Sequence, residues 1–172
     1  MSLSTCVRFT KFAVIGLALA GVATWAAPSM AQDVLATHGD WTVYSYVESG
    51  NKVCYVGSRP AKEEGTFKKR SDAFVLVTLR ASGEEVSITS GYPYKDKAVV
   101  DVDIGASSFT LFTREAWAWA QNEAGDRELI AAMVRGNNMV VNGQSQIGTT
   151  SKDTYSLSGF SAARKAMTEA CA

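Results

Sequence analysis

Three stretches of the 172-residue chain place chemically useful side chains at short spacing. Gly143-Gln-Ser-Gln-Ile-Gly148 carries a serine between glycines, but it is one residue too long for the Gly-x-Ser-x-Gly elbow that exposes a nucleophile at the top of a strand-to-helix turn. A hydrolase built on Ser145 would need a base and an orienting carboxylate such as Asp153. The one histidine of the chain, His38, lies far away in sequence. Ser49-Gly-Asn-Lys52 has the Ser-x-x-Lys spacing, which serves catalysis when both side chains share a helical face. Here Gly50 and Asn51 mark a hairpin turn instead. Asp101 and Asp103 point the same way from one strand, yet a single strand offers too few oxygens for calcium, which takes about 6–8. One histidine and well-separated cysteines cannot close a zinc site, and no glycine-rich phosphate loop opens a helix, so no cofactor is implied.

The aromatic residues offer recognition, not catalysis. Tyr92 and Tyr94 flank Pro93 in an expected loop, where such side chains are either packed or used for binding. Trp117 and Trp119 stand two apart on an expected strand and share a face, which either lines the core or forms an exposed patch. Lys68-Lys-Arg70 reads as a solvated loop.

Strands must position these groups. Asp40–Val47, Val53–Val56, Ala73–Leu79, Glu85–Thr89, Val99–Ile104, Phe109–Phe112 and Ala116–Ala120 are short, rich in β-branched and aromatic residues, and separated by turn residues. Trp41 is the expected core anchor of the first. Arg59–Asp72, with Pro60, Gly65 and many charges, reads as a wet loop. One internal helix is expected, capped by Asp126, with Leu129, Ile130, Met133 and Val134 inward and Gly136 at its end. Asn138–Gln146 and Thr149–Leu157 make two last strands. Phe160, Ala163, Met167 and Cys171 then recur at helical spacing, with Ser158 or Ser161 available as a cap. The expected fold is mainly all-β: a single antiparallel, immunoglobulin-like β-sandwich with one short internal helix and a C-terminal helix.

Arg8 and Lys11, the apolar run from Phe12 to Ala27, and Ser29-Met-Ala31 form the pattern of a removable signal peptide over residues 1–31. Residues 32–172 then make one domain, periplasmic or secreted, with no membrane span. Losing two bases leaves it slightly acidic, which does not suit a nucleic-acid partner. Cys54 and Cys171 remain as an even pair in an oxidising compartment and are expected to form a disulfide, the alternative being two buried thiols.

Gly39-Asp-Trp41, Gly91-Tyr-Pro-Tyr94, Phe109-Thr-Leu-Phe112, Ala116-Trp-Ala118, Leu129-Ile-Ala-Ala-Met133, Asp153-Thr-Tyr-Ser-Leu-Ser-Gly-Phe160 and Cys171 follow one another in an order that resembles the invasion-associated locus B family of exported bacterial proteins. The resemblance spans essentially the whole mature chain. It implies a compact β-sandwich in the periplasm or beyond and a link to host-cell invasion in some pathogens, with no catalytic residue to carry over. Many relatives place a cysteine shortly after the first tryptophan, where this chain has Val43-Tyr-Ser-Tyr46.

The expected function is therefore non-enzymatic binding to an envelope or host-cell component, through the Tyr92–Tyr94 loop and the Trp117/Trp119 strand. Alternatives are a small periplasmic hydrolase using Ser145 with Asp153, and a periplasmic inhibitor or envelope-stress protein.

Overall fold

The computed structural model describes residues 32–171; the expected signal peptide lies outside them. In chain order the elements are β1 (Asp33–His38), β2 (Trp41–Glu48), β3 (Asn51–Ser58), β4 (Lys62–Gly65), β5 (Phe74–Arg80), β6 (Gly83–Thr89), β7 (Val99–Ile104), β8 (Ser107–Arg114), β9 (Trp117–Trp119), α1 (Glu123–Arg135), β10 (Asn138–Gln144), β11 (Thr150–Ser156) and α2 (Phe160–Cys171). The strands form one antiparallel sheet in the order β1-β2-β3-β5-β6-β9-β8-β7-β10-β11-β4. Hairpins join most neighbours. The β2–β3 turn is two residues long, with Ser49 and Gly50 both at positive φ, the backbone that matches strand twist.

The sheet bends into a sandwich-like body around one apolar core, bringing the start of β2 to the end of β11. The indole N–H of Trp41 on β2 donates to the Ser156 carbonyl at the end of β11 (2.9 Å), and the Trp41 and Phe160 rings lie 4.8 Å apart. The expected core anchor is thus also a clasp. Two glycines allow the approach. Gly39 (φ 55°) and Gly159 (φ 88°) both hold left-handed backbone, and a Cβ on Gly159 would run into the His38 carbonyl. Asp40 N–H then reaches the Ser158 carbonyl at 3.1 Å.

Helix α2 packs on β1, β2, β3 and β5 through Phe160, Ala163 and Met167, and the Cys54–Cys171 disulfide ties its last residue to β3. Its entry uses backbone and turn contacts: Phe160 N–H donates to the Leu157 carbonyl, and Ser158 N–H to Ser156 Oγ. Helix α1 departs from expectation at its start. Asn122 is the cap, accepting from Gly125 N–H at 3.0 Å, while Asp126 sits buried in the first turn. Its Oδ1 takes the Val86 N–H of β6 (2.9 Å), just past the stretch where the short β9 pairs with that strand. Val134 is exposed; Leu129, Ile130 and Met133 are inward. Gly136 does end the helix, at φ −84°, and its smallness is needed because a Cβ would meet Ile104 and Leu157 side chains.

The Arg59–Asp72 stretch is mostly exposed to solvent, as expected, but it is not all loop. Lys62–Gly65 forms edge strand β4, paired with β11 from Gly65↔Ser151 to Lys62↔Thr154. An edge strand exposed on both sides shows no apolar alternation, and charges there guard against stray pairing. His38 lies on β1 opposite Trp41.

Candidate functional site

Strand register decides what the aromatic residues do. Residues paired across strands share a face of the sheet. One row runs across seven strands: Thr42, Gly57, Leu76, Ser87, Trp119, Phe112 and Val99. The adjacent inward rows, Val43-Val56-Val77-Val86 and Val75-Ile88-Ala118, are fully buried. The core therefore takes Ala118, and Trp117 and Trp119 stand on the outer face, each half-buried. Phe112 is 38% exposed and Val99 47%, so this outer row is an apolar surface in contact with solvent. Trp119 stacks on Phe112 at 5.8 Å and 30°.

Two further rows flank it. Tyr44 pairs with Tyr55, their rings stacked at 4.9 Å, and Tyr46 meets Tyr55 edge-on. Burial, reinforced by the neighbouring tyrosines, raises the Tyr55 pKa, so its hydroxyl stays neutral. On the other side Phe74 pairs with Thr89, and Trp117 with Arg114. The Arg59 guanidinium lies 4.6 Å over the Phe74 ring and pairs with Asp72 at 2.8 Å.

Tyr92 and Tyr94 belong elsewhere. Tyr94 is buried, its hydroxyl accepting from Ser90 N–H and donating to Ser90 Oγ. Burial pushes its pKa up to about 12. Tyr92, partly exposed, exchanges a 2.6 Å hydrogen bond with Ser151 Oγ and meets Tyr94 edge-on. The loop is sewn down by Tyr94 N–H to the Glu115 carbonyl and Gln146 N–H to the Pro93 carbonyl. These tyrosines brace a buried polar cluster.

At its centre is a pair the sequence does not announce. Asp153 is fully buried on β11, and Arg70 holds both its oxygens at 2.6 and 2.7 Å. Arg70 also donates to the Ser90 carbonyl, pairs with Glu63 at 3.0 Å and lies over the Phe67 ring. Of Lys68-Lys-Arg70, only the two lysines match the expectation of a wet surface; the arginine side chain is buried. Burial raises the Asp153 pKa against the opposing pull of Arg70, whose own pKa rises because its hydrogen bonds outweigh its desolvation. The signal for this pair was Asp153 itself, which keeps the same inward parity as Ser151 and Tyr155 and so needs a buried cation.

The hydrolase residues are not brought together. Ser145 is buried at the base of the β10–β11 turn, its Oγ accepting from Thr149 N–H. Asp153 is held by Arg70, and among the described residues no hydrogen bond links His38 to either. Asp101 and Asp103 accept from Thr110, Ser108 and Asn142 across their own sheet.

A disulfide-tied, antiparallel β-sandwich with an outer aromatic face is the class this geometry defines. Its fold is that of a crystal structure of invasion associated protein b from Bartonella henselae: TM-score 0.58 at 17% identity, over 78% of this chain and 94% of that one. Residues 41–168 match the model of the Invasion associated locus B (IalB) protein family, and the chain belongs to that family. No curated protein sequence matches it.

Proposed function

We propose that this chain is an exported, non-enzymatic binding protein that engages an envelope or host-cell component through the outer face of its sheet. The observation that carries the reading is the exposed apolar row through Trp119, Phe112 and Val99, which the core does not need and which extends across neighbouring strands. The commitment of Asp153 to Arg70 and of Ser145 to Thr149 supports binding over hydrolysis. The signal-peptide pattern of residues 1–31 supports export. The family's name supports a contribution to host-cell invasion as the finer role.

The test uses the labelled mature protein on bacterial envelope fractions and on host cells, comparing wild type with Trp119→Ser/Phe112→Ser. Binding to one of the two should fall at least tenfold while the thermal unfolding midpoint moves little. Unchanged binding in the folded variant would remove the outer face from the proposal. Protease shaving of intact cells then separates a surface location from a periplasmic one.

A further inference from the structure

Resting on that reading, we propose that the trough between Tyr44 and Trp117 on the outer face is a binding site for neutral oligosaccharides. The cavity measures about 820 Å³, within the range of small-molecule sites. Tyr44 and Tyr55 stand on one side, and Phe74 and Trp117 on the other. Tyr55 on β3 and Trp117 on β9 are three strand steps apart, about 14 Å across the sheet, with Phe74 on β5 between them. At Gly57 the Leu76 side chain lies 3.0 Å, and the Tyr44 ring 3.7 Å, from where a Cβ would stand, so the floor there is apolar.

Three observations select the occupant. A ring covers a face of Tyr55 and of Trp119, and the Arg59 guanidinium a face of Phe74, whereas Trp117 has no ring or cation against it among the described residues, and Tyr44 stacks through one face only. Open aromatic faces carry negative partial charge and attract the C–H face of a sugar ring. The rim mixes an acceptor-only carboxylate, Asp40, with the donor-only guanidinium of Arg59, alongside the Thr42 hydroxyl. A hydroxyl group can donate to the first and accept from the second, so a sugar edge satisfies both. An apolar helix offers Asp40 no donor, and a proline-rich peptide lacks N–H donors for it. Finally, Asp40 and Arg59 carry one charge of each sign and Arg59 is already matched by Asp72, so the trough offers no excess charge to a polyanion.

The experiment is calorimetry and tryptophan fluorescence on the mature protein with hexasaccharides of glucose (α- and β-linked), N-acetylglucosamine, mannose and galactose, and with a proline decapeptide. At least one sugar should bind saturably and shift the emission. Trp117→Ala should weaken it at least tenfold. Thr42→Lys, which leaves the aromatic residues in place and fills the trough from its edge, should do the same. Ile147→Ser, on the distant β10–β11 turn and 84% exposed, should leave it unchanged. Absence of binding by every sugar to the wild type overturns the inference. If the decapeptide binds instead and Trp117→Ala abolishes it, the occupant is a peptide and the outer-face reading survives. If Trp119→Ser/Phe112→Ser leaves cell or envelope binding intact, it is the outer-face reading that fails.

Discussion

Removing the Cys54–Cys171 bridge should lower stability by an amount set by the length of chain it closes. The two residues are 117 apart in sequence, and the loop-closure entropy for that length corresponds to about 5 kcal/mol at 25 °C. In a domain of this size that is a fall of about 15 °C in the unfolding midpoint. The native state should survive, because Phe160, Ala163 and Met167 hold α2 on the sheet without the bridge. Reduction therefore acts on the unfolded ensemble, which expands and exposes more surface, so the urea m-value should rise as the midpoint falls. The assay is calorimetry and urea unfolding of the wild type with and without a phosphine reductant, beside Cys54→Ala/Cys171→Ala. A midpoint drop under about 3 °C would refute the reasoning. So would an early, separate transition confined to α2, since it would show that the bridge, not the apolar face, docks the helix.

The buried Arg70–Asp153 pair should behave asymmetrically: Arg70→Met leaves a buried carboxylate uncompensated and should cost about 3–5 kcal/mol, whereas Arg70→Met/Asp153→Leu should recover most of the loss. Urea unfolding of both variants checks this, and equal losses would contradict it. Asp126 carries a pKa raised by burial above its ordinary 3.8, with the Val86 N–H opposing the rise. A carboxyl whose folded pKa is raised binds its proton more tightly when folded, so its contribution to stability falls as pH climbs from about 4 through the folded pKa. Asp126→Asn should remove that part of the slope. The unfolding free energy of the variant relative to wild type should therefore rise between pH 3 and pH 7, and a difference that stays flat would mean the carboxyl is not strained by its site.

The parts of the fold that could be read from the chain are those governed by local rules. Alternation in Val99–Ile104 and the 3–4 spacing of Phe160, Ala163 and Met167 translate directly into β7 and α2. Edge strands were invisible because β4 is exposed on both sides and β1 buries no residue fully, so neither shows an apolar period. The site was half legible. That Trp117 and Trp119 share a face follows from strand parity, but which face is inward does not. Large-small alternation suits a core of tryptophans as well as a core of Ala118, and the choice is made by Ile88 and Val75, paired with it across two neighbouring strands. The outer row exists only once the register of seven strands is known. Arg70 was hidden for a similar reason: its partner lies 83 residues away.

The ties that close the body converge on its C-terminal block. Trp41 reaches Ser156 across 115 residues, Arg70 reaches Asp153 across 83, and Cys54 reaches Cys171 across 117. Gly39 and Gly159 add a backbone contact between the same two ends. A chain with its strongest contacts so distant folds slowly, since loop-closure entropy is lost before those contacts form. It also cannot complete its core until the last twenty residues are available, because β4, β2 and β3 all lean on β11 or α2. For the exported protein proposed above this is an advantage: a chain that must pass through a membrane unfolded stays unlocked until its end has arrived, and the oxidising side then supplies the bridge. Gly39-Asp-Trp41 and Asp153–Phe160, two of the stretches on which the sequence resemblance rests, are engaged in this closure. The outer aromatic face is left free of it, so residues there can change without disturbing how the molecule shuts.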